Sequence, residues 1–185
     1  MTDFTNEESL DPQNFNDKIW GSKQLRRITL FEYLSDSELE DLYEIGEVKL
    51  FKPKCNVIIE AESSRGLYVL LRGAVSVFKL DKSSDQLIRL TMLEEGAIFG
   101  ELSLFDDAPR SATVIAENTC SLFYLDAEGF NEHLDQLGND LKTRFYKKCA
   151  EEMAERFRVQ NADYIASQHL LWQHALRTNP ERQPR

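Results

Sequence analysis

A chain of 185 residues with 42% hydrophobic content can bury one ordinary core, so a single domain with extensions is expected rather than two. The formal net charge of −10 creates a field that repels phosphate backbones and argues against direct DNA binding. Cys55, Cys120 and Cys149 are odd in number and share no short spacing, which speaks against a disulfide framework or a cysteine-held metal and fits a reducing cytoplasm.

Taken in chain order, residues 1–12 are polar, acidic and aperiodic, carry Pro12, and read as a flexible tail rather than a basic signal peptide. From Asn14 to Leu34, apolar residues such as Phe15, Ile19, Trp20, Leu25 and Ile28 recur at helical spacing around Gly21, where a break in a helical pair is expected. Ser35 and Glu38 form a capping box, with Leu34 and Leu39 placed as a hydrophobic staple. A short helix from Asp36 to about Glu44 follows.

After Gly46 the texture becomes short β-rich runs separated by turn residues: VKLF, NVIIEA, LYVLLRG, AVSVFKL, LIRLTML, ATVIA and CSLFYL. Gly66 and Gly73 mark tight corners, and Lys82 to Asp85 form a polar hairpin connection. This punctuation predicts a mainly β protein, an antiparallel jelly-roll-like β-roll, with an N-terminal helical segment and a long C-terminal helix. The sheet should end near Leu125.

From Asp126 the period is helical again, first through DAEGFNEHLDQL and then, past Gly138, to about Leu176 without proline or glycine. The second segment would be about 55 Å long, beyond the width of a small domain. Leu141, Phe145, Cys149, Met153 and Phe157 recur every fourth residue, and Tyr164, Ile165, Leu171 and Trp172 extend the stripe. Such a stripe serves either the helix's own core or a two-fold dimer seam. The seam is favoured because the helix outruns the roll, giving an expected homodimer. No apolar run reaches the ~18 residues that cross a bilayer, so no membrane attachment is expected.

The informative stretch is Gly96 to Ala116, GAIFGELSLFDDAPRSATVIA. Phe99, Gly100 and Glu101 leave a strand at a glycine and enter a short helix, Leu102 to Phe105. Nine residues after Glu101 comes Arg110, fixed behind Ala108 and Pro109 and followed by the small residues Ser111 and Ala112. A guanidinium suits a phosphate because its donors match two oxygens in a plane. A carboxylate in the same pocket should accept from hydroxyls, so ribose plus phosphate is the natural guest. The plain alternative is a surface ion pair beside a turn.

FGELSLFDDAPRSATV resembles the phosphate-binding cassette of the cyclic-nucleotide-binding domains found in kinase regulatory subunits, gated channels and bacterial catabolite activators. The resemblance runs from about Leu30 to Val159, through LFEYLSDSELEDL and LYVLLRGAVSVFK. It implies that Glu101 accepts the ribose 2′-hydroxyl, that Arg110 pairs with the cyclic phosphate, and that N–H groups around Gly100, Leu102, Ser111 and Ala112 complete the cradle. Leu90 and Phe99 are candidates for apolar walls around the base. Family members usually carry glycines near Lys54-Cys55 and at Ala61, which this chain lacks; neither position is expected to touch the cassette.

AEEMAERFRVQNADY resembles the activators' dimerisation helix, which would put Gln160 and Asn161 where the base is capped across a dimer. A side-chain amide can pair with the N6/N7 edge of adenine; the alternative is a pair of solvated polar residues. Ser111 is compatible with cAMP, and its hydroxyl could also serve cGMP. The segment after Ala162 is too short for a helix-turn-helix module, so a protein effector is the expected output.

Two rival classes remain. A cupin-like metal enzyme needs histidines and carboxylates inside the barrel, whereas His133, His169 and His174 all fall in the C-terminal helices. A nucleotide-free scaffold would keep the roll alone. The expected organisation is a tail (1–12), N-terminal helices (13–46), a ligand-binding roll (47–125), C-terminal dimerisation and output helices (126–178) and a closing tail (179–185), with no catalytic residues and no metal.

Overall fold

The structure, a computed structural model, describes residues 15, 17–106 and 108–178. The expected tails at 1–12 and 179–185 lie outside the described residues. The chain divides into two compact units, one ending at Asn139 and the other starting at Asp140.

In the first unit, α1 spans Lys18–Leu25 with Asp17 as its N-cap, accepting from the N–H groups of Ile19 and Trp20. A 3₁₀ turn follows at Thr29–Phe31, and α2 spans Asp36–Ile45. The capping box is formed: Ser35 Oγ accepts from Glu38 N, and Glu38 returns a carboxylate oxygen to Ser35 N. Gly21 does not break the first helix, which continues to Leu25 and stops only before the turn at Ile28. The glycine serves a close approach instead, because a Cβ there would stand 2.3 Å from the ring carbons of Tyr43 on α2.

Eight strands make the roll: β1 (Glu47–Phe51), β2 (Asn56–Ile58), β3 (Gly66–Arg72), β4 (Val75–Asp81), β5 (Gln86–Leu93), β6 (Ile98–Phe99), β7 (Thr113–Ala116) and β8 (Cys120–Asp126). They form two antiparallel four-stranded sheets, ordered β1-β8-β3-β6 and β2-β7-β4-β5. The NVIIEA run is strand only as far as Ile58, because Ala61 takes left-handed backbone at φ +67°. The two-residue β6, too short to leave a periodic signal, is the strand that ends at Phe99 as the glycine after it led one to expect.

Side chains on β8 alternate between two environments. Leu122 and Cys120 join Ile58, Tyr68, Leu70, Val75, Phe99 and Val114 in the roll's interior. Phe123 takes the opposite parity and stacks on Tyr43, with ring centroids 5.1 Å apart and planes 10° apart. Trp20 meets Tyr43 edge-on at 6.4 Å, so one aromatic run joins α1, α2 and β8. Asp126 then caps α3 (Ala127–Leu137), accepting from the N–H groups of Glu128 and Gly129.

The last element, α4 (Asn139–Thr178), is a helix of 40 residues and about 60 Å, all but its first residue in the second unit. Its expected apolar stripe is present, and Phe157, Tyr164, Ile165, Leu171 and Trp172 are all more than 60% exposed. No helix among the described residues is long and apolar enough to cross a membrane.

Candidate functional site

The site is built where β6 ends. Phe99 is buried and stacks on Tyr68 of β3 at 5.4 Å, which pins the last residue before the turn. Gly100 then adopts left-handed backbone at φ +78°, a conformation that costs other L-residues roughly 1–2 kcal/mol. Space gives a second reason for glycine: a Cβ would lie 2.7 Å from Arg110 Nη1 and 3.0 Å from the Gly66 carbonyl. A 3₁₀ turn, Glu101–Leu104, follows.

Arg110 is only 6% exposed, an unusual state for an arginine without a carboxylate bonded to it. Nη1 donates to the Gly100 carbonyl at 2.9 Å and to Ser103 Oγ at 3.0 Å, while Nε donates to Ser64 Oγ at 3.2 Å. Three of the five guanidinium hydrogens are thereby used, and the two on Nη2 meet no acceptor among the described residues. Burial pulls the guanidinium below its ordinary value, opposed by Tyr68, Tyr124, Glu101 and Glu62 nearby. The neighbours that hold the arginine in place are neutral, and no ion pair among the described residues cancels its positive charge. That arrangement favours a desolvated anion.

The backbone of Arg110 is held as firmly. Its N–H donates to the Glu62 carbonyl at 2.8 Å, and its carbonyl accepts from Ala61 N at 2.9 Å. Ala61 therefore does touch the cassette, contrary to expectation: a strand exit too far away in sequence to be read as a neighbour pairs directly with Arg110. Lys54 and Ala61, where the family pattern has glycines, both carry left-handed backbone at φ +67°. The chain keeps the turn geometry and tolerates side chains in it.

The remaining expected residues fall in three places. Glu101 is half-buried at the start of the turn and contributes to the field at Arg110, while Leu102 is 43% exposed. Ser111 is exposed, its carbonyl accepting from Lys79 Nζ, and Ala112 is half-buried beside it. Lys79 also pairs with Glu60 at 2.7 Å, and that hydrogen bond, with one from Leu80 N, lowers the pKa of the Glu60 carboxyl below its ordinary value. Leu90 is 59% exposed on β5, the edge strand of the second sheet. Gln160 and Asn161 are exposed on α4. His133 lies on α3, and His169 and His174 lie on α4; no group of three or more metal-binding side chains occurs among the described residues.

Sequence reasoning missed Ser64, Ser103, Tyr68 and Tyr124. Ser64 lies 46 residues from Arg110, a separation that carries no local signal. Ser103 left a trace, a serine between two leucines in a turn that otherwise needs apolar residues. Tyr124 hydrogen-bonds the Arg65 carbonyl at 2.8 Å, tilts against Tyr68 at 4.7 Å and carries Lys49 Nζ 3.7 Å over its ring. Together Lys49, Tyr124, Tyr68 and Phe99 form a ladder across all four strands of the first sheet.

Comparison with known proteins bears on the same segment. Residues 48–136 match the sequence profile of the cyclic nucleotide-binding domain. The chain is 31% identical to cGMP-dependent protein kinase 2 of Homo sapiens over 109 residues, which is 58% of this chain and 14% of the kinase. It thus spans a small part of such relatives. Among solved structures, a cyclic nucleotide-binding domain from Methylobacillus flagellatus superposes with a TM-score of 0.70 at 22% identity, covering 84% of each chain. The catabolite activator protein of Thermus thermophilus gives a TM-score of 0.65 at 23% identity, covering 76% of this chain and 63% of that one. Both of these are likenesses of fold. From the profile match, the cassette and the two-sheet roll, residues 48–136 form a cyclic nucleotide-binding domain.

Proposed function

We propose that the chain is a non-enzymatic cAMP receptor, with Arg110 binding the cyclic phosphate and Glu101 accepting the ribose 2′-hydroxyl. The observation that carries this reading is the buried Arg110, held by neutral partners and with both Nη2 hydrogens uncommitted among the described residues. A cyclic phosphate supplies the acceptor and the charge that this group lacks. Gly100, Leu102, Ser111 and Ala112 supply backbone around it, and Phe99 closes the cassette's inner side by stacking on Tyr68. Leu90 would be an apolar wall for the base, and Gln160 and Asn161 of a second copy would cap it across the dimer. Adenine is preferred because the carboxamides of Gln160 and Asn161 match its N6/N7 edge; cGMP is the competing ligand, served by the Ser111 hydroxyl.

The exposed stripe on α4 supports a homodimer through that helix, since large apolar side chains clustered in water mark an interface. The dimer is read as a cytoplasmic signalling protein that responds to ligand by repacking its helices and presenting a changed surface to a protein effector. The test is calorimetric titration with cAMP and cGMP, on wild type and on Arg110→Leu. Binding of either nucleotide that weakens at least 100-fold in the variant supports the reading, because charge-assisted bonds contribute about 1.5–3 kcal/mol each. Silence for both nucleotides overturns it. Sedimentation of Ile165→Glu/Leu171→Glu as a monomer, against a wild-type dimer, tests the seam.

A further inference from the structure

Ser103 stands at the crossing of the site's hydrogen bonds although no ligand role follows from its place in the turn. Its side chain is 4% exposed. Its hydroxyl oxygen accepts from Gly66 N at 3.0 Å and from Arg110 Nη1 at 3.0 Å, and its single hydrogen faces the Gly100 carbonyl at 2.8 Å, closer than the Gly66 carbonyl at 3.2 Å. One hydroxyl thus ties the start of β3, the left-handed Gly100 and the guanidinium into one cluster. Its own carbonyl accepts from Arg65 Nε at 3.2 Å, which holds the turn from outside.

The consequence concerns which edge of the guanidinium a ligand meets. A guanidinium with three free nitrogens could present Nε and Nη2, or Nη1 and Nη2, and could swing between these by rotation. With Nη1 saturated by Gly100 and Ser103 and Nε taken by Ser64, only Nη2 is left to the ligand. Gly100 alone would leave one Nη1 hydrogen unused and the rotation open. Ser103 removes that freedom.

We infer that Ser103 is a positioning residue that orients Arg110 by accepting its second Nη1 hydrogen, so that the Nη2 edge is pre-set for the cyclic phosphate. It acts through Arg110 and touches no ligand itself. This rests on the proposed nucleotide reading, and deepens it by assigning the group that fixes the phosphate donor. Pre-organisation of this kind raises affinity by removing an ordering cost at the moment of binding.

The experiment is a double-mutant cycle read by calorimetry with cAMP and cGMP, using wild type, Ser103→Ala, Arg110→Lys and the double variant. Ser103→Ala should weaken binding about 10-fold, equivalent to about 1.4 kcal/mol, and the same change in the Arg110→Lys background should weaken it less than 2-fold. A serine that merely holds the turn together would cost the same factor in both backgrounds, and that additive result overturns the proposal. A second measurement needs only wild-type protein. The Arg110 Nη1 and Nη2 nitrogens, assigned by their loss in Arg110→Lys, should give two resolved NMR signals through hindered rotation, and one averaged signal overturns the assignment. If wild type binds neither nucleotide, the receptor reading falls as a whole; if it binds and Ser103→Ala binds equally well, only the role of Ser103 falls.

Discussion

Ala61 donates its N–H to the carbonyl of Arg110 at 2.9 Å, and does so from left-handed backbone at φ +67°. A residue with a Cβ is held there at a cost of roughly 1–2 kcal/mol, next to the residue proposed to bind the ligand's phosphate. Ala61→Gly should relieve the strain and, after the larger chain entropy of glycine is allowed for, stabilise the protein by about 0.5 kcal/mol. Calorimetric unfolding should show a Tm rise of roughly 1–2 °C. A fall in Tm would show that the alanine methyl packs well enough to outweigh its backbone.

The converse holds at Gly100. A Cβ there meets Arg110 Nη1 at 2.7 Å and must displace either the guanidinium or the turn. Gly100→Ala should lower stability by about 1–2 kcal/mol and weaken cAMP binding more than 10-fold. Loss of stability with unchanged affinity would mean that the guanidinium shifts without consequence for the ligand.

Glu101 gives a prediction that separates sugar from phosphate. If its carboxylate accepts the 2′-hydroxyl, wild type should bind 2′-deoxy-cAMP about 10-fold or more weakly than cAMP, the value of a charged hydrogen bond. Glu101→Ala should bind both equally. Persisting discrimination in the variant would move the hydroxyl's partner elsewhere.

These residues show what could be read beforehand. The cassette was legible because its chemistry is local: glycine, acid, proline and arginine sit within eleven positions and each has a backbone or charge reason. The strands were legible from their turns, and α2 from Ser35 and Glu38. Gly21 misled because glycine has two uses, and only the Tyr43 ring, brought in by tertiary packing, decides between helix break and close contact. Ser64 and Tyr124 stayed hidden because tertiary packing, not sequence spacing, sets them beside Arg110 and Tyr68. Ala61 was misplaced for the same reason.

Alkaline stability is set partly by buried phenols. Burial, helped by Asp17, raises Tyr43 from 10.0 to about 12, and burial with Asp126 raises Tyr124 to about 12. Tyrosine is neutral when protonated, so between pH 10 and 12 the folded chain keeps protons that the unfolded chain releases. Stability present below pH 10 is therefore lost as pH rises towards 12, by no more than about 1.4 kcal/mol per pH unit for each group. Urea unfolding across this window should show the decline, with a shallower slope in Tyr43→Phe and a shallower one again once Tyr124→Phe is added. An unchanged slope in the double variant would assign the loss to other groups.

The two tryptophans sit at opposite extremes of solvent contact, Trp20 at 8% and Trp172 at 67%. The protein therefore contains its own pair of optical reporters: a blue-shifted emitter tied to the N-terminal aromatic run, and an emitter near the end of α4 that a quencher reaches only where that helix is uncovered. Iodide should always spare the first and silence the second only in the single chain, so an event that covers α4 can be followed in unlabelled protein without mistaking it for a change in the roll.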